Sequence, residues 1–353
     1  MAANQALITI DGSHGEGGGA LLRTAFAMAA LTQQAVRIHS VRGGTKFPGL
    51  DVEDLTYLKA LARICRAETT GAEIASETVG FFPTNRPEGF SGALSGDQHQ
   101  SAPRGPNACV LLGALLPVLA KSGVYSSLAV EGETFGANSL SYDYFANVTL
   151  AALRKTGLYA FPELMTAGFG RESKGQVTLD VEPSALQGVT WSDRGKLKEI
   201  RAIVSTASLP ASVGDRAVAH LRRLAQNSGL QMQAEHIEVG ARGAGVYVTS
   251  WAQYERGMGG GTAMGMRGLR SETLAQLAFE EMYEWMAGPS TVDPYLADQL
   301  LLPLVMAEGE SVFTVSRLTS RFLTCSWVVK QFTPIHITIR GSENGPGSIT
   351  IKR

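Results

Sequence analysis

Cysteine is scarce and scattered in this chain. Cys65, Cys109 and Cys325 are the only three in 353 residues. They lie far apart and form no C-x-x-C pair, which argues against a disulfide framework or a cysteine zinc site and fits a reducing, cytoplasmic setting. No two of the six histidines stand at metal-ligand spacing. Charge is low as well: 18% of residues are charged and the formal net charge is −1. That argues against a protein held on nucleic acid by bulk charge alone, while leaving room for a local basic cleft. No apolar run reaches the ~18 residues of a membrane span, and no basic stretch precedes the strand that begins near Leu7, so neither a span nor a signal peptide is expected. Apolar residues, by contrast, make up 44% of the chain, enough for a substantial core. The length suits two domains, or one large domain carrying an insertion.

The most informative stretch runs from Ile8 to Thr24. An apolar strand (Ile8-Thr9-Ile10) gives way to Asp11-Gly12-Ser13-His14-Gly15-Glu16-Gly17-Gly18-Gly19, which opens directly into an apolar helix carrying Arg23. Unpaired N–H groups at a helix start, approached over glycine, form an anion site. The stretch therefore reads as a phosphate or nucleotide cradle, or as a tight strand-to-helix turn that binds nothing. It matches neither the Walker nor the dinucleotide spacing.

Periodicity divides the rest into three loosely repeated units. The first has strands at 7–10 and 35–41, helices at 20–31 and 54–65, and a closing strand pair within 70–82. The second has helices at 107–121 and 143–155, a strand at 125–131, and a closing pair at 160–168 and 175–181. The third has helices at 294–307 and 325–332, a strand at 312–316, and a closing pair at 336–340 and 348–351. Between the second and third units the pattern changes. Leu197–Ala207 reads as a strand and 212–228 as a helix. Met232–Val239 and Ala244–Ala252 read as a strand pair around Gly240–Gly243, and 271–286 as a helix with Ser271 as its N-cap. The glycine run 257–268 reads as a mobile loop. The expected architecture is α+β: a main domain from residues 1–186 and 290–353, interrupted by a small α/β domain at 187–289.

Three segments carry a resemblance. The Asp11–Gly19 turn with Leu22-Arg23, then Val41-Arg42-Gly43-Gly44 with Pro48-Gly49-Leu50, and Tyr295-Leu296-Ala297-Asp298-Gln299-Leu300-Leu301-Leu302-Pro303 make the chain similar, over nearly its whole length, to the RNA 3′-terminal phosphate cyclase family. The resemblance implies three repeats, each like the C-terminal domain of bacterial translation initiation factor three, with an inserted small domain. It also implies ATP-dependent chemistry. A histidine is adenylated, AMP passes to an RNA 3′-phosphate, and the 2′-hydroxyl closes a 2′,3′-cyclic phosphate. On this resemblance Glu16 would hold Mg²⁺ or Mn²⁺, and Arg23, Arg42 and Lys46 would bind phosphate groups. Tyr295, Leu296, Ala297, Asp298 and Gln299 would line the nucleotide pocket. The partners would be a nucleotide and an RNA 3′ end, with no membrane.

The chain departs from the family where the chemistry lies. Arg321, in Leu318-Thr319-Ser320-Arg321-Phe322-Leu323-Thr324, stands where the family carries its nucleophilic histidine. A guanidinium stays protonated and has no lone pair to attack with. Thr45 stands where a second basic residue is usual, with Lys46 beside it as a substitute. Glu53-Asp54 replaces a glutamine-histidine pair, Gly113 replaces a glutamine expected to meet ATP, and the usual glycine cluster reads Gly170-Arg171-Glu172-Ser173-Lys174-Gly175. His14 in the glycine turn is the best-placed substitute nucleophile and His99 the next. Three functions compete: a binder of RNA 3′ ends or nucleotide phosphates that does not adenylate itself, an active cyclase using another nucleophile, and, ranked last, an enolpyruvyl-transferase-like enzyme.

Overall fold

The structure, a computed structural model, describes residues 7–95, 105–170 and 173–353. His99, Arg171 and Glu172 lie outside the described residues. The fold is α+β, with four four-stranded sheets among the described residues.

The first sheet is built from β1 (Ile8–Asp11), β2 (Val36–His39), β3 (Glu68–Thr70) and β4 (Val79–Phe82), with helices α1 (Gly19–Thr32) and α2 (Val52–Cys65) between its early strands. Its order is β1-β2-β4-β3; β1 and β2 are parallel and the other pairs antiparallel. The second uses β5 (Ser91–Leu94), α3 (Ala108–Ala120), β6 (Ser126–Gly132), a broken helix, β7 (Ala160–Thr166) and β8 (Gly175–Val181), in the order β5-β6-β8-β7 with the same directions. The broken helix, expected as one helix over 143–155, is α4 (Tyr142–Tyr144), a π-helical turn (Phe145–Thr149) and α5 (Leu150–Arg154).

The third sheet begins with the two residues of β9 (Thr190–Trp191), which run parallel to residues 312–313 of a strand that comes much later in the chain. The chain then leaves it. A separate sheet follows, made of β10 (Leu197–Ala207), β11 (Gln233–Glu238), β12 (Gly245–Tyr254) and β13 (Gly257–Met264), covered by α6 (Ala211–Asn227) and α7 (Ser271–Ala287). The third unit resumes with α8 (Pro294–Val305), β14 (Glu310–Val315), α9 (Ser320–Phe332), β15 (His336–Gly341) and β16 (Gly347–Lys352), giving the order β15-β16-β14-β9. All three units therefore share one strand order and one set of directions. Periodicity had not revealed β5 or β9, short edge strands with little alternation to read.

Two expectations about the intervening sheet need correction. Met232–Val239 and Ala244–Ala252 do not pair with each other. β10 lies between them, parallel to β11 and antiparallel to β12. The crossover helix α6 returns the chain parallel, so β11 occupies an edge. Nor is 257–264 a loop: it is strand β13. Its glycines allow α7 to lie directly on the strand, since a Cβ at Gly261 would come 2.4 Å from the Ala278 carbonyl oxygen and one at Gly259 2.7 Å from the Trp285 ring. In addition, Arg270 rather than Ser271 takes the N-cap position of α7.

The main core is continuous across the three units. α1 packs on α2, α3 and α9, while α3 and α8 also meet, so the helices of the units bury their apolar faces on one another. The sheets bury one face against them, as the alternating burial along β6 and β8 records. A second core fills the intervening sheet and its helices. Where this sheet meets the second unit, Phe135 stacks on Phe169 at 5.0 Å beside Tyr247. Asp293 ties three parts together. Its carboxylate caps α8 through the amides of Tyr295 and Leu296, and accepts from the Tyr144 hydroxyl at 2.6 Å and the Gly260 amide at 2.8 Å. Burial pushes this carboxyl up to about 6, against the pull of those donors.

Candidate functional site

A cleft of about 1540 Å³ opens where the three units meet the intervening sheet. The glycine turn forms one wall. Gly15 and Gly17 adopt positive φ (+59° and +58°), and a Cβ at Gly15 would strike the Thr324 hydroxyl at 2.2 Å. That hydroxyl accepts from the Glu16 amide at 2.9 Å, which fastens the turn to α9 and aims Glu16 along it. One turn earlier on α9, Arg321 grips both Glu16 oxygens, Nε at 3.2 Å and Nη2 at 3.1 Å. The start of α1 has no side-chain cap, and Gly18, Gly19 and Ala20 line the cleft there.

Below this turn sits a network of two guanidiniums and three carboxylates. Arg23 donates to Glu53 at 2.9 Å and to Asp54 at 3.0 Å. Arg42, in a left-handed conformation at φ 54°, donates to Asp54 at 2.9 Å and to Asp51. Asp54 is wholly buried and bridges the two arginines, one oxygen to each. Burial and the neighbouring Asp51 push its carboxyl up to about 7, while Arg23 and Arg42 pull it down. Glu53 is held from its other side by the Asn107 amide at 3.0 Å. Asp51 supplies the N-cap of α2, which orients all three acids.

On the far side, Asp298 of α8 accepts from Thr319, the N-cap of α9, at 2.6 Å. Its burial pushes the carboxyl up to about 7; the Thr319 hydrogen bond and Arg321 oppose this. Gln299 accepts from Thr149, in the π-helical turn, at 2.6 Å. Such turns recur at functional sites.

The structure thus gathers Glu16, Arg23, Arg42, Tyr295, Asp298, Gln299 and Arg321 around one space. Leu296 and Ala297 lie in the core instead, 0% and 1% exposed. Lys46 is exposed and rides at 5.5 Å over the ring of Phe47, a cleft-lining residue, so it stands at the rim without lining the space itself. His14 is exposed too. It stacks on Trp327 at 3.8 Å and does not line the cleft. Sequence reasoning missed Asp51, Tyr144 and Thr149, and the whole wall formed by β13 with Glu280, Glu281 and Glu284 of α7. That wall is distant in sequence, and only the spacing along α7 hinted at a common face for its acids.

The charge of the lining is unexpected. Three guanidiniums face seven carboxylates among the described residues: Glu16, Asp51, Glu53 and Asp298 on one side, Glu280, Glu281 and Glu284 on the other. Each of the three arginines is already paired. A divalent cation at Glu16 would share the carboxylate with Arg321, which takes one contact from each oxygen. Among the described residues no group of three His, Cys, Asp or Glu is disposed to hold a metal. No described helix is long and apolar enough to cross a membrane.

The family profile for RNA 3′-terminal phosphate cyclase matches residues 14–339. The chain belongs to the RNA 3′-terminal phosphate cyclase family. It is 32% identical over 349 residues to an RNA 3′-terminal phosphate cyclase of Methylococcus capsulatus, covering 98% of this chain and 96% of that one. It is equally 32% identical to the protein of that name from Salmonella typhimurium, covering 96% and 97%. Among solved structures, the enolpyruvyl transferase NikO from Streptomyces tendae aligns with 98% of this chain and 48% of its own, at TM-score 0.39 and 12% identity, a likeness too slight to bear on function.

Proposed function

We propose that this member of the family works in RNA processing, in the cytoplasm, by binding an RNA 3′ end or a nucleotide phosphate in the cleft without adenylating itself. The reading rests on one observation above all. Arg321, which the resemblance puts at the position of the family's nucleophile, lines the cleft with its guanidinium paired to Glu16. Burial opposes its charge, but the hydrogen bonds and field of Glu16 outweigh that, so the guanidinium is even harder to deprotonate than usual. A group with no lone pair forms no phosphoramidate. His14, the best-placed substitute, stacks on Trp327 outside the lining, so an adenylated His14 would need the turn to rearrange. The α1 start and the arginines of the first unit supply the anion-binding character, and the separate sheet, within 187–289, supplies the opposite wall as an inserted domain.

The purified protein, incubated with α-labelled ATP and Mg²⁺ or Mn²⁺, is expected to take up no acid-labile label. It is expected to retain a 3′-phosphorylated oligoribonucleotide, with an affinity that falls as salt rises and falls further in Arg42→Ala. Label on the unaltered chain, lost in His14→Ala, would refute the reading in favour of an active cyclase using another nucleophile. Failure to retain the phosphorylated RNA would refute the binding role.

A further inference from the structure

The two most exposed large apolar side chains among the described residues are Phe47 and Met266, at 71% and 66%. Both line the cleft, Phe47 from the first unit and Met266 from the turn that follows β13. Single apolar residues scattered over a surface need no explanation, but two that share one concave space mark a place for a ligand. Phe47 is held there by its loop. The Thr45 hydroxyl lies 2.9 Å from the Arg42 carbonyl oxygen and 3.1 Å from that of Phe47 itself. The Thr45 amide donates to the Arg42 carbonyl at 2.9 Å, and the Gly49 amide to that of Val41 at 2.7 Å. The ring is thus presented on a short, internally bonded loop, which keeps the cost of ordering it on binding low.

Beside it, Lys46 carries its ammonium 5.5 Å from the ring centre. Among the described residues Lys46 has no carboxylate partner, whereas Arg23, Arg42 and Arg321 are each paired. An open aromatic face next to an unpaired cation suits one nucleotide of a single strand: the base stacks and the backbone phosphate meets the charge. The cleft is also too large for a terminal nucleotide alone. Its volume of about 1540 Å³ exceeds the roughly 300–1,000 Å³ of pockets that hold one small ligand.

We propose that Lys46 and Phe47 form a second nucleotide subsite, in which the Phe47 ring stacks on the base next to the 3′-terminal one and Lys46 meets the phosphate that joins the two. The inference rests on the binding role proposed above. Arg42 reaches inward to the buried Asp54, while Lys46 and Phe47 stand at the mouth. An RNA end seated with its 3′-phosphate at the α1 start therefore runs outward past this rim. Met266 adds soft apolar surface to the same mouth. Every base has a π-face, so the subsite tolerates any sequence. It does require a strand whose penultimate base is free to leave its stack, which favours an unpaired 3′ end over a duplex one.

The test is direct titration of the full chain with three probes. They are the trinucleotide UAU bearing a 3′-phosphate, the same trinucleotide with an abasic middle position, and uridine 3′-monophosphate. The proteins are the unaltered chain, Phe47→Ala, Phe47→Trp and Lys46→Ala, with circular dichroism to confirm that each is folded. The unaltered chain is expected to bind the intact trinucleotide at least fivefold tighter than the abasic one. In Phe47→Ala that ratio should fall to below twofold, with the affinity for uridine 3′-monophosphate unchanged. Phe47→Trp should keep the ratio, and its added indole should be quenched by the intact trinucleotide and not by the abasic one. Lys46→Ala should weaken both trinucleotides alike and flatten their salt dependence. Either of two results would overturn the proposal: a ratio that Phe47→Ala leaves unmoved, or an equal loss for uridine 3′-monophosphate, which would put the terminal nucleotide on the ring. Trinucleotide binding that ignores the missing base in the unaltered chain would refute the subsite alone. If no probe binds any folded form, the binding role fails and the subsite with it.

Discussion

Asp143 offers a quantitative check of how the second unit joins the inserted sheet. Its carboxylate is 5% exposed and accepts from the Ser205 hydroxyl at 2.7 Å across that junction. Burial is the main influence and pushes the carboxyl up to about 7, against the pull of Ser205. In the unfolded chain the same group titrates near ~3.9. The folded state therefore binds the proton more tightly. Its stabilising effect is complete below about pH 4 and is lost as pH rises through 7. Between pH 5 and pH 8 the linkage integral for one such group is about 2.5 kcal/mol, lost on the alkaline side. Asp143→Asn removes this titration while preserving the shape. Urea unfolding of both proteins at pH 5 and pH 8, followed by tryptophan fluorescence, measures the difference. Asp54, Asp293 and Asp298 titrate in both proteins and largely cancel in it. The variant is expected to lose about 2.5 kcal/mol less than the unaltered chain between the two pH values. A difference below about 0.5 kcal/mol would show that Asp143 is ionised at ordinary cost, through water reaching the junction, and would refute the reasoning.

Two further substitutions probe the frame of the cleft. Gly261→Ala places a Cβ 2.4 Å from the Ala278 carbonyl oxygen, so α7 must shift off β13; a loss of about 1–3 kcal/mol and earlier proteolytic cleavage within the inserted sheet are expected, and unchanged protection would refute the close approach. Tyr144→Phe removes the 2.6 Å hydrogen bond to the buried Asp293 carboxylate and should cost about 1.5–3 kcal/mol in thermal unfolding, more at pH 8 than at pH 5 because the carboxylate then carries its full charge. A loss independent of pH would mean that the hydroxyl contributes only packing.

Much of the frame is legible in the sequence. β10 spans Leu197–Ala207 as its sequence pattern predicts, and α6, α7 and α8 lie within a residue or two of their expected bounds, because long stretches with helical or alternating periodicity carry their own signal. The short edges β5 and β9 did not, having only four and two residues to show a period. β13 was obscured by composition: its glycines suggest a loop to local reasoning and are explained only by the helix lying on them. Likewise the site was half visible. Glu16, Arg23, Arg42 and Arg321 could be named, and Glu53-Asp54 stood out as an odd pair, but nothing local says that Asp54 bridges Arg23 and Arg42 or that Arg321 closes on Glu16. Those are tertiary contacts across up to about 300 residues, beyond the reach of periodicity.

The brevity of β9 has a consequence for how the chain assembles. Its two residues wait for β14, with the whole inserted sheet and α8 lying between them. As the polypeptide emerges, the first two sheets have every strand to hand, whereas the third stays unfinished until its last strands, β15 and β16, are made. The α8 and α9 walls of the cleft are among the last parts to arrive. A nascent chain is therefore a poor ligand trap for most of its synthesis, and a truncated one remains so. Closure over roughly 120 residues makes the third sheet the one that depends most on distant parts of the chain, and the cleft is complete only when that sheet is.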